Sequence, residues 1–124
     1  MKIPKAYPVT VMTAVLLFAP FSLYAHPPAQ VKVMAQEKTV TVEVIHKVDP
    51  TVSDPKTHYI NRITLAVNGV SMVDQRFQKQ EGDLQTGVYA IPSLKQGDVI
   101  VAEAFCSNYG SLRGETTVGG KRSY

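Results

Sequence analysis

The chain has 124 residues, of which 44% are hydrophobic, with 13 basic against 10 acidic side chains. This length allows one small domain with a packed core and is too short for two. The nearly balanced charge gives no support for nucleic-acid binding, because proteins of that class usually carry a strongly basic face.

The first 25 residues have the layout of a cleaved signal peptide. Lys2 and Lys5 form a positive start, residues 9–21 (VTVMTAVLLFAPF) form a short apolar stretch, and a small-residue cleavage position follows at Ala25. The alternative, a retained N-terminal anchor helix, needs a longer uninterrupted apolar run. We therefore expect a periplasmic or secreted protein that begins at His26 and has no membrane anchor after cleavage.

The rest of the chain alternates between apolar and polar residues in short runs, which is the pattern of half-buried β-strands. Asn68-Gly69 is a strong signal for a tight turn between two paired strands. Seven short strands in a chain of this length predict an all-β fold, an immunoglobulin-like antiparallel β-sandwich that occupies residues 26–124 as one domain. The predicted strands are 30–36, 38–46, 59–67, 71–78, 87–91, 98–106 and 114–118.

The residues with the most distinctive chemistry are three histidines and a single cysteine, namely His26, His46, His58 and Cys106. All four are predicted at strand ends or loop edges, and a loop rich in proline and aspartate (residues 47–57) separates two of the histidines. Imidazole and thiolate together suit iron, zinc or copper. The alternative is that these are ordinary surface histidines and a small buried cysteine.

Three segments, HKVDPTVSDPKTHYI (46–60), NRITLAVNG (61–69) and AEAFCSNYG (102–110), resemble the iron-binding domain of superoxide reductases, the desulfoferrodoxin family. The resemblance implies an immunoglobulin-like sandwich in which four imidazoles bind a mononuclear non-haem ferrous ion in a plane and a cysteine sulfur binds axially. It also implies an oxidoreductase that reduces superoxide to peroxide and is re-reduced by an external electron donor.

Carried over by this resemblance, His58 opens the His-Tyr-Ile triplet, Cys106 is the axial thiolate, and His46 and His26 match the two earlier histidines. The chain departs from the family at Tyr109, which stands where the fourth imidazole belongs, and it has no lysine directly before His26. Two groups are candidates to replace the missing ligand. One is the Tyr109 phenolate, and the other is the α-amino group that cleavage would create on His26.

Two other functions are consistent with the same sequence. The long segment between His46 and His58 also resembles the Z subunit of the thiosulfate-oxidising carrier complex, a non-enzymatic β-sandwich scaffold that gives Cys106 no evident role. The third candidate is a periplasmic copper-binding protein that uses the N-terminal His26 as an amine and imidazole chelate.

Overall fold

The computed structural model describes residues 26–48 and 58–119, which form seven antiparallel strands. Among these residues no helix is long and apolar enough to cross a membrane. The predicted signal peptide, most of the predicted loop between His46 and His58, and residues 120–124 lie outside the described residues. The strands are β1 (Gln30–Gln36), β2 (Thr39–Ile45), β3 (Ile60–Val67), β4 (Val70–Arg76), β5 (Leu84–Ala90), β6 (Val99–Cys106) and β7 (Ser111–Thr117).

The strands form two sheets, with three strands in the order β1-β2-β5 and four in the order β4-β3-β6-β7. This confirms the predicted all-β antiparallel sandwich. The fourth strand lies beside the third, where the immunoglobulin variable type adds its C′ strand, and not in the sheet of the first, second and fifth strands as in the constant type.

The core follows from the alternation in the sequence. On β2, Val40, Val42 and Val44 are fully buried, whereas the residues between them face outward. The facing sheet contributes the buried alternate residues of β3 and β6, namely Ile63, Leu65, Ile100, Ala102 and Ala104. At one side of the sandwich β7 approaches β1 closely, since Gly114 lies against the carbonyl of Val31 and leaves no room for a Cβ.

Two strands begin three residues earlier than predicted, and all other strand boundaries agree with the prediction to within two residues. Strand β5 begins at Leu84 rather than three residues later, because its first residues complete the pairing with β2, with Leu84 opposite Ile45. Strand β7 begins at Ser111, opposite Phe105 on β6. Both are edge strands, where burial alternates weakly, so the sequence carries little signal for their first residues. The Asn68-Gly69 turn is confirmed, with φ of 50° and 80°.

Candidate metal centre

The three histidines and the cysteine lie at strand ends of the sandwich. His46 directly follows β2, His58 precedes β3, His26 precedes β1, and Cys106 is the last residue of β6. The start of β1 pairs with the end of β2, and Ile60 at the start of β3 pairs with Cys106. The antiparallel register therefore brings residues far apart in sequence to the same end of the fold.

The three imidazoles converge on one another. The ring centroids of His26 and His46 are 4.9 Å apart, those of His26 and His58 are 5.0 Å apart, and those of His46 and His58 are 4.7 Å apart. One ring nitrogen from each histidine lies within 4.8 Å of the other two, so the group could hold a metal ion. His46 and His58 are almost wholly buried, at 0% and 1% exposure, and His26 is half-buried.

Within this group the Nε2 atoms of His46 and His58 are 3.1 Å apart. At a metal–nitrogen distance of about 2.1 Å, two ligands at a right angle are about 3.0 Å apart, and two at a tetrahedral angle are about 3.4 Å apart. The observed separation lies between these two values, as expected for two ligands of one metal ion. The imidazoles therefore fit a single metal ion.

The side chain of Gln80 holds His46 in place. This residue lies between β4 and β5 and is 5% exposed. Its Oε1 is 2.9 Å from His46 Nδ1 and accepts a hydrogen bond from the backbone N–H of Ile60 at 3.0 Å. Its Nε2 donates to the carbonyl oxygens of His46 and Gly82 at 2.6 Å and 2.8 Å. One amide thus connects the end of β2 with the start of β3.

Cys106 adjoins the cluster through His46, with which its side chain is hydrogen-bonded, although it is not among the three residues that mutually converge. Burial opposes ionisation of the thiol. Hydrogen bonds from His46 and from the backbone N–H groups of Asn108 and Tyr109 outweigh that effect, so the pKa of Cys106 lies below its ordinary value. A lowered thiol pKa favours the thiolate, which is the form that binds metals.

The turn after Cys106 brings its sulfur and the N-terminal segment together. The backbone N–H of Cys106 donates to the carbonyl of Gly110 at 3.0 Å, and Gly110 has a φ of 74°, which favours glycine. Pro27 packs against Gly110 so closely that a Cβ there would lie 3.1 Å from the proline Cβ. The contact holds His26, the neighbour of Pro27, close to the cysteine turn.

The histidines do not share one protonation behaviour. Burial lowers the pKa of His46, but its hydrogen bonds with Cys106 and Gln80 outweigh burial, so this pKa is raised above 6.5. The pKa of His58 is lowered by burial and by the charges of His46 and His26. Of these two buried rings His46 is therefore the one that binds a proton more readily, and a metal ion bound there would compete with that proton.

Tyr109 occupies a different environment from the histidines, because it is 55% exposed. The structure thus brings together the three predicted histidines and places the Cys106 side chain against them, while the Tyr109 ring is largely in solvent.

The His26 Nδ1 is 3.0 Å from the carbonyl of Pro27, which can only accept, so this nitrogen carries the ring proton and Nε2 holds the lone pair.

Sequence reasoning missed Gln80. In the segment KQEGD it looks like any polar loop residue, and its partners His46 and Ile60 are 34 and 20 positions away. No local pattern in the sequence identifies it.

No protein-family model and no curated protein sequence matches the chain. Among solved structures, a superoxide reductase from Nanoarchaeum equitans is similar at 14% identity, with 75% of this chain and 92% of that chain covered and a TM-score of 0.44. A superoxide reductase (neelaredoxin) from Ignicoccus hospitalis gives 20% identity, coverage of 78% and 82%, and a TM-score of 0.47. A hypothetical protein from Pyrococcus horikoshii gives 18% identity, with 79% of this chain and 92% of that chain covered, and a TM-score of 0.44.

Proposed function

We propose that this is an exported, mononuclear iron-binding protein similar to superoxide reductase. The observation that carries the proposal is the convergence of three imidazoles, two of which have Nε2 atoms 3.1 Å apart. The Cys106 side chain lies beside them and is hydrogen-bonded with His46. The sequence resemblance supplies the choice of iron. Two histidines buried to 1% exposure or less support the proposal, because a buried polar side chain is more informative than an exposed one.

In this proposal His26, His46 and His58 supply imidazole ligands and Cys106 supplies a thiolate. The fourth nitrogen of the family's plane has no histidine here, and the proposed substitute is the α-amino group of His26 or the Tyr109 phenolate. The exposure of Tyr109, at 55%, favours the amino group, because an exposed phenol would have to swing inward to reach the imidazoles.

Bound ferrous iron would supply one electron to superoxide, which takes up two protons to become hydrogen peroxide, and an external donor would return the electron. The protein's own contribution is to hold the ligands in a fixed arrangement. The cysteine sulfur adds electron density to the metal, and the buried imidazoles limit solvent access. The substrate, superoxide or another small anion, would enter from the exposed side next to His26 and the cysteine turn.

The experiment that tests the proposal uses protein that begins at His26, loaded anaerobically with ferrous iron and then oxidised. We expect one iron per chain and a sulfur-to-metal charge-transfer band in the visible range. Cys106→Ser should abolish the band and leave the circular dichroism spectrum unchanged. If neither iron nor the band is found in wild-type protein, and Cys106→Ser changes nothing, the metal proposal is wrong.

A matched protein with one extra residue before His26 tests the role of the amino group. If that group is a ligand, the extension should lower metal affinity markedly, and Tyr109→Phe should leave it unchanged. The opposite result would assign the position to the phenolate. If the protein strongly prefers copper over iron and the extra residue before His26 removes that preference, the copper-binding function is supported instead. If no metal is bound at all, the non-enzymatic scaffold is favoured.

Export is tested separately by fractionating cells and sequencing the protein's N-terminus. We expect the protein outside the cytoplasm with His26 as its first residue. A form that retains Met1 and remains with the membrane would contradict this.

A further inference from the structure

Gln80 is hydrogen-bonded to a histidine of the cluster but is not itself one of the three converging residues. The residue lies in the segment that leads from β4 in one sheet to β5 in the other. Its side chain is buried and reaches both His46, at the end of β2, and Ile60, at the start of β3. All of its hydrogen-bonding atoms are engaged.

The orientation of this amide is fixed by backbone groups alone. Its nitrogen faces two carbonyl oxygens, those of His46 and Gly82, which can only accept. Its oxygen faces the backbone N–H of Ile60, which can only donate. A flipped amide would place oxygen against two oxygens and nitrogen against an N–H, losing three hydrogen bonds.

This orientation determines the state of the His46 ring. Because the amide oxygen is 2.9 Å from His46 Nδ1, that nitrogen must carry a hydrogen to donate. In a neutral imidazole only one nitrogen is protonated, so the lone pair is then on Nε2. The Nε2 atom faces His58 Nε2 at 3.1 Å and the carbonyl oxygen of His26 at 3.2 Å. That carbonyl can also only accept, so it competes with Gln80 for the single proton, and Gln80 makes the shorter contact, at 2.9 Å.

We infer that Gln80 is the positioning residue of the centre, fixing His46 as its Nδ1–H tautomer so that the Nε2 lone pair points at the metal position. The inference rests on the proposed function for the identity of the site. The tautomer itself is a property of the metal-free protein. The same amide donates a hydrogen bond to the His46 carbonyl and accepts one from the Ile60 N–H. It therefore also sets the distance between the segments that carry His46 and His58.

Two substitutions separate positioning from simple structural support. Gln80→Leu removes every hydrogen bond of the side chain. Gln80→Glu keeps an acceptor for His46 Nδ1 and Ile60 N–H but removes the two donated bonds. Gln75→Leu is the control, because Gln75 is a half-buried amide that accepts a hydrogen bond from the Tyr89 hydroxyl, at 2.6 Å, rather than from a histidine.

The first measurement is long-range ¹H–¹⁵N NMR of the metal-free protein in alkaline buffer, where imidazoles are neutral. Wild-type protein, Gln80→Glu and Gln75→Leu should each show His46 as the Nδ1–H tautomer, and Gln80→Leu should show a mixture or the Nε2–H form. A wild-type spectrum with the proton on Nε2 would overturn the inference, and this reading does not depend on whether Gln80→Leu folds.

The second measurement is metal affinity by competition with a chromogenic chelator. Loss of an outer hydrogen-bond partner of a metal-binding histidine typically costs about 10- to 100-fold in affinity, and we expect a loss in that range for Gln80→Leu. Gln80→Glu should lose less affinity than Gln80→Leu, because it keeps the acceptor for His46 Nδ1, and Gln75→Leu should stay within about threefold of wild type. An equal loss in Gln80→Glu and Gln80→Leu, with the tautomer unchanged in both, would show that Gln80 only supports the fold. Failure of wild-type protein to bind metal would reject the proposed function and leave the tautomer result intact.

Discussion

The sandwich carries a polar cluster at each end, and the two clusters differ in their balance of donors and acceptors. At the end away from the histidines, Asn68 Nδ2 donates to Asp98 Oδ1 and the backbone N–H of Lys95 donates to Asp98 Oδ2, both at 2.9 Å. The backbone N–H of Val99 donates to Asn68 Oδ1, also at 2.9 Å. Each of these acceptors faces a group that can only donate, so this cluster is complete in itself.

At the histidine end a neutral His46 ring has one proton but faces two oxygens that can only accept, Gln80 Oε1 and the His26 carbonyl. After His46 Nδ1 donates to Gln80, the remaining His46 Nε2 faces His58 Nε2 at 3.1 Å and the His26 carbonyl oxygen at 3.2 Å. A neutral His46 has one proton for these two oxygens, so the contact between Nε2 and the His26 carbonyl is satisfied only when a cation, either a second proton or a metal ion, lies between them. The comparison shows that the groups of the first cluster satisfy one another, whereas a neutral His46 leaves one contact of the second cluster unsatisfied.

The largest expected effect is the loss of metal binding when one of the facing nitrogens is removed. His58→Ala deletes a proposed ligand, so we expect affinity to fall more than about 100-fold, beyond the usual cost of losing an outer partner. Competition with a chromogenic chelator measures this, with circular dichroism to verify folding. Wild-type affinity in a folded His58→Ala protein would show that the facing nitrogens are only a hydrogen-bonded pair.

A smaller effect is expected at the opposite end. Asn68→Gly removes the amide that connects Asp98 with Val99, while glycine readily adopts the φ of 50° found at this position. We expect a loss of about 1 kcal/mol in the free energy of unfolding, measured by urea denaturation. Metal affinity should remain that of wild type, which makes this variant the control for His58→Ala. A change in affinity would mean that the two ends are coupled.

The smallest effect is confined to acidic solution. Hydrogen bonds from the backbone of Lys95 and from Asn68 lower the pKa of Asp98 below 3.8. The unfolded chain then takes up the proton first, so this carboxylate stabilises the fold above about pH 4, and that stabilisation is lost as pH falls through the lowered pKa. The stability difference between wild type and Asp98→Asn should therefore shrink on acidification in urea titrations. A difference that is constant with pH would show that Asp98 does not act through its charge.

Much of the fold could be predicted because its signals are local. The alternation through Val40, Val42 and Val44 identifies an inward face, and Asn68-Gly69 identifies a tight turn, each within a few residues. The start of β5 could not be predicted in the same way. Leu84 is 51% exposed on an edge strand, and its place in the sheet depends on pairing with Ile45, far away in sequence.

The same distinction between local signals and long-range pairing applies to the candidate site. The sequence by itself determined which residues have ligand chemistry and that they stand at strand ends, because residue type and alternation are properties of short segments. Only the tertiary structure decided that His46 and His58 face each other, that Cys106 contacts one of them, and that Gln80 orients the ring. Those relations depend on the pairing of strands across two sheets, where register and direction, rather than neighbouring residues, set which atoms meet.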